Sequence, residues 1–221
     1  MQDGHEWEVI RMKSDVFMLN SDAGRMAAAR YSTEDFAREL GLDRHDTLRL
    51  ELLTEETLGM VKAMVDDFYG QLWFEAEGER CEIHLQATAD MNADRREELL
   101  SVSSTGRNAA AKGFMGMLKD VLSGAMHSFG RSMNDYGREV ARYGIVNPAE
   151  VGSLAVDNMV PIWTLQTYRN GLGEQRNIDE DAGEAWNELE KSIVGKLADD
   201  VIVGIKGDRI EMVIIKDFDK R

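Results

Sequence analysis

The sequence predicts an α+β fold: a two-layer sandwich of a mixed, mainly antiparallel sheet with helices on one face, plus a helical insertion. Three observations carry that prediction. Strand-like segments bracket the helical parts of the chain instead of alternating regularly with them. Helical periodicity fills residues 23–70 and most of 92–198. Only two prolines, Pro148 and Pro161, occur in 221 residues, so long helices are permitted nearly everywhere. The whole chain, 1–221, reads as one domain with the insertion at about 93–180.

In chain order, residues 5–19 alternate loosely through Trp7, Val9, Phe17 and Leu19 and read as an N-terminal strand region. Asn20 or Ser21 can cap the helix that follows. Along it Ala23, Met26, Ala27, Tyr31, Phe36, Ala37 and Leu40 recur at helical spacing until Gly41 stops it. A second helix starts at Asp43, and its stripe of Leu50, Leu53, Thr57, Val61, Met64 and Phe68 runs to Gly70. Residues 71–77 and 80–88 are then two strands joined by the turn Glu77-Gly78-Glu79. In the second, Cys81, Ile83, Leu85 and Ala87 alternate with Glu82, His84 and Gln86.

From Asn92 to about Ala198 the pattern is almost wholly helical. Ala110, Phe114, Met117, Val121, Ala125, Phe129 and Met133 form one stripe. Residues 171–183 are polar and acidic and read as a loop, and Trp186, Leu189, Ile193 and Leu197 mark a last helix. V-I-V-G-I-K and R-I-E-M-V-I-I-K close the chain as a hairpin around residues 207–208.

Composition narrows the function classes. The net charge is -15, and no Lys/Arg cluster outweighs it, which argues against nucleic acid and anionic membranes as partners. A basic protein, or a nucleotide held by backbone groups, fits better. The single cysteine, Cys81, excludes an internal disulfide framework and a Cys-rich zinc site. No apolar run is long enough to span a bilayer and no leader pattern opens the sequence, so a cytoplasmic location is the expectation.

Several motifs fail on inspection. The stretch S-T-G-R-N-A-A-A-K-G-F-M-G-M-L-K-D-V at 104–121 combines glycines with Lys112. A Walker loop needs Gly-Lys-Ser/Thr after four spacer residues, but here Lys112 precedes Gly113. Its remaining readings are a helix N-terminus that meets an anion, or a helix whose glycines let a neighbour approach. Asp90-Met91-Asn92-Ala93-Asp94 opens like a calcium loop, but Arg95 and Ser101 occupy the required glycine and glutamate places. The four histidines form no metal pair, and no nucleophile elbow occurs. Glu55 and Glu56 remain as adjacent acids inside an amphipathic helix, where a solvated face is the default account.

The stretch L48-R-L-E-L-L-T-E-E-T-L-G-M-V61, behind a helix ending A-R-E-L-G-L-D, resembles the second helix of the GHKL (gyrase/histidine-kinase type) ATPases, most of all the small bacterial anti-sigma-factor kinases. In that family the helix carries a water-activating Glu and, four residues on, a Mg²⁺-binding Asn. The resemblance puts Glu55 in the catalytic place, with Glu56 as its stand-in one register on, and Gly59 in the place of the Asn. It implies Asp90 as the adenine-binding acid, with Asn92 where the family has glycine. For the glycine-rich, phosphate-facing helix it offers Lys112 and Gly113, or K191-S-I-V-G-K-L-A-D-D-V201, which precedes the closing hairpin as the family's helix does. ATP is the implied cofactor, and the glycine at 59 argues against Mg²⁺. The implied function is a regulatory ATP-binding-like protein with weak or no catalysis. The alternative is a non-catalytic interaction module on a degenerate scaffold. Implied partners are a sigma-factor-like or other regulator and a second copy in a homodimer, with thirteen methionines available for adaptable surfaces.

Overall fold

Eight strands pair in one sheet in the computed structural model, which describes residues 11–64, 67–89, 145–146, 162–206 and 209–218. The strands are β1 (Arg11–Lys13), β2 (Phe17–Asn20), β3 (Phe68–Glu77), β4 (Arg80–Ala89), β5 (Ile145–Val146), β6 (Ile162–Thr164), β7 (Asp200–Lys206) and β8 (Arg209–Asp217). The described helices are α1 (Ala23–Glu39), α2 (Arg44–Met64), α3 (Leu165–Gln175), α4 (Glu180–Lys191) and α5 (Ile193–Leu197). Strand order is β1-β3-β4-β8-β7-β6-β5, with β2 also on β3, and every described pairing is antiparallel. The fold class is the predicted one, α+β on a mainly antiparallel sheet.

Local chemistry sets the boundaries. Asp22 caps α1 by accepting from the Gly24 and Arg25 amides, and Gly41 ends the turn after it at φ 69°. Asp43 accepts from the His45 and Asp46 amides and starts α2. Gly78, at φ 67°, closes the β3–β4 hairpin.

Register then sorts the side chains. Leu72, Phe74, Ile83, Leu85, Val201, Val203, Met212 and Ile214 share the face that meets the helices, and all are buried. Each such side chain contributes roughly 1.5–3 kcal/mol by leaving water. Phe36 of α1 stacks on Phe74 at 5.3 Å and ties that helix to β3. Ile202, Val213 and Ile215 lie on the opposite face of the sheet and are buried too, so the β7–β8 end is apolar on both sides.

The structure corrects several expectations. The cap of α1 is Asp22, not Asn20 or Ser21, and the last helix marked by Trp186, Leu189, Ile193 and Leu197 is two, α4 and α5, parted at Ser192. Phe68, read as the end of the second helix's stripe, instead heads β3, and α2 stops at Met64. Phe68 fits both periods, and its pairing with Ala89 decides for the strand. Residues 171–183, read as a loop, hold the end of α3 and the start of α4. Few apolar residues are needed there, because Leu172 and Ala182 are the buried points and Asp179 caps α4. The N-terminal strand region is two strands, because the Ser14 hydroxyl accepts from the Phe74 amide in place of a backbone carbonyl. Finally, Ile162–Thr164, within the range read as helical, pairs with β7.

α2 runs alongside β4 in the same direction. Its first turns share a cleft with Lys216, Asp217 and Phe218 at the end of β8, where β4 begins. Its last residue, Met64, precedes Phe68, which pairs with Ala89 at the end of β4.

Candidate functional site

The residue after β4, Asp90, lies outside the described residues, as do Asn92, Lys112 and Gly113. The described part of the candidate site is therefore the outward surface of α2. Helical geometry buries Leu50, Leu53, Thr54, Thr57, Leu58 and Val61 against α1 and the sheet. The same geometry turns Glu55 and Gly59, one turn apart, toward solvent. Glu56 is half-buried beside them.

Arg30 of α1 organises the carboxylates. Its Nε donates to Glu51 Oε2 at 3.1 Å, its Nη2 lies 3.0 Å from the same oxygen, and its Nη1 lies 4.0 Å from Glu55 Oε1. The Glu51 side chain is only 10% exposed, so this guanidinium is what makes its charge tolerable there. Glu55 is 54% exposed, and its contact with Arg30 is loose. Burial, and then the charge of Glu55, raise the pKa of the Glu56 carboxyl. Thr33 and Thr54 bond at 3.2 Å beneath this surface and fix α1 on α2. The spacing of acids along α2 was legible in the sequence. Arg30 was not, because its partner stands 21 residues away and no local pattern joins them.

A Mg²⁺ ion does not fit these groups. A hard cation needs several converging oxygens. At Gly59 there is no side chain, and apart from its two neighbours and its own helix backbone no described atom lies within 4 Å of where a Cβ would stand. Among the described residues no three His, Cys, Asp or Glu side chains converge on one point.

The N-termini of the described helices are closed by capping side chains. Asp22 fills that of α1 and Asp43 that of α2. Thr164 and Asp200 fill that of α3, Asp179 that of α4 and Ser192 that of α5. The segment 191–201, offered as the phosphate-facing helix, spends its groups internally. The Gly195 amide donates to Ser192 Oγ at 2.8 Å, and its carbonyl accepts from Arg169 at 2.7 Å. A Cβ at Gly195 would collide with the Leu189 carbonyl oxygen, so close approach of α4 explains this glycine.

The class these features define is an α+β domain in which one helix, packed along a central strand, displays acidic residues to solvent. No family model and no curated protein matches the chain. No described helix is long and apolar enough to cross a membrane.

Proposed function

We propose that this is a regulatory domain of GHKL type, similar to an anti-sigma-factor kinase, which can take an adenine nucleotide but whose phosphoryl transfer is weak or absent. The reading rests above all on one observation: α2, with Glu55, Glu56 and Gly59, runs beside β4 toward the strand end that leads into Asp90. The element order helps, since the closing β7–β8 hairpin adds to β4 through β8. Phosphoryl transfer needs a metal to neutralise the phosphates. Glycine at 59 supplies no ligand, so catalysis is weak or absent.

Calorimetry tests this. ATP should bind as well without Mg²⁺ as with it, and Gly59→Asn should make binding Mg²⁺-dependent. Absence of heat up to millimolar nucleotide ends the proposal.

The second reading is an interaction module with no nucleotide at all. The capping of all five described helix N-termini by the protein's own side chains favours it. Under that reading a stoichiometric protein partner, whether a sigma-factor-like regulator or a second copy, stays bound after nucleotide is stripped.

A further inference from the structure

We propose that a second site, at the opposite end of α2 from Glu55 and Gly59, takes a small carboxylate-bearing ligand. A cleft of about 250 Å³ opens there between α2, α5 and the end of β8. That is below the usual range for drug-sized ligands and several times the volume of a water, so the occupant is small. Asp46, Arg49, Lys196, Leu197, Lys216 and Asp217 line it over Phe218.

In a chain of net charge -15, three cations converging from three elements stand out. Two are already paired. Arg49 Nη1 holds Asp46 Oδ1 at 2.9 Å, and Lys216 Nζ holds Asp199 Oδ2 at 2.7 Å. Asp217 is held by Arg80 at 3.0 Å from outside the cleft. Lys196 is exposed and has no ion pair among the described residues. Among the described residues, with the outside partners Arg80 and Asp199 included, the cleft is left with one positive charge, that of Lys196.

One uncompensated positive charge matches a singly charged carboxylate better than a phosphate dianion. The paired side chains make the walls rigid: the Asp46 side chain is 11% exposed and that of Lys216 15%. Buried Phe218 and half-buried Leu197 offer an apolar surface for the ligand's short carbon chain. The site does not depend on the nucleotide reading, since α2 carries Asp46 and Glu56 roughly 15 Å apart along its axis.

Backbone NMR at constant ionic strength tests the proposal. Acetate should give saturable shifts at Leu197 and Phe218 beyond those of chloride. Lys196→Met should weaken that response roughly two- to fivefold, the range of one exposed ion pair, and Lys196→Arg should preserve it. Lys196 is exposed, so neither change disturbs the fold. Shifts that rise linearly, or that are unchanged in Lys196→Met, overturn the proposal. Tighter binding of inorganic phosphate than of acetate overturns the choice of carboxylate.

Discussion

Arg30 and Glu51 illustrate how much one pair of residues decides. Glu51 is nearly enclosed, whereas the Arg30 side chain is 57% exposed. Removing the guanidinium strands a carboxylate that has lost its water; removing both leaves an apolar contact. Arg30→Met is therefore expected to cost about 1–2 kcal/mol, a figure kept low by Arg30's exposure. The double change Arg30→Met/Glu51→Met should return to within about 1 kcal/mol of the parent. Denaturant unfolding of the four proteins closes the cycle. Strictly additive costs would show that Glu51 is stable without its partner. Glu55, one turn on, belongs to the same surface but not to the same bond, and that leaves its carboxylate open to solvent or ligand.

At the scale of elements, Asp200 joins the start of β7 to the start of α3, accepting from the Gln166 amide at 3.0 Å and the Val201 amide at 2.8 Å. Burial raises its pKa, and the amide bonds and Arg169 only partly oppose that. A carboxyl whose pKa is raised on folding adds stability at pH below its unfolded value, near 3.8, and loses that contribution as pH rises through the folded pKa. The stability of the parent relative to Asp200→Asn should accordingly fall as pH climbs from 3.8 upward. Thermal unfolding across that range measures it, and a flat difference would refute it. Glu75 on β3 behaves oppositely. Burial raises its pKa, but hydrogen bonds from Lys13 and Trp73 outweigh that and lower it. Its contribution is present above the unfolded value and is lost as pH falls through the folded one.

Across the whole molecule the excess of acid matters more than any pair. A net charge of -15 sets carboxylates against one another, and salt screens them. Raising ionic strength from ~0.01 to ~0.15 M shortens the screening length from about 30 to about 8 Å. If self-repulsion costs about 1 kcal/mol, the melting temperature should rise by roughly 2–4 °C. A fall with added salt would mean that surface ion pairs such as Arg11–Glu77 and Arg80–Asp217 outweigh the repulsion.

What the sequence determined by itself is the set of local periods. The alternation of Cys81, Ile83, Leu85 and Ala87, the stripe from Leu50 to Val61 and the closing hairpin were all readable, because each is dictated by neighbours a few residues away. So were the position of Glu55 and Glu56 on one helix and the glycine at 59. Tertiary structure decided the rest. It moved Phe68 from helix to strand by pairing it with Ala89, and it brought Ile162–Thr164 into the sheet. It buried Ile202 and Val213 on a face that alternation would have left wet. It also set Arg30 against Glu51 and gathered Arg49, Lys196 and Lys216 around one cleft. Those contacts join residues far apart in the chain, and only the packing of helices on the sheet supplies the energy that holds them together.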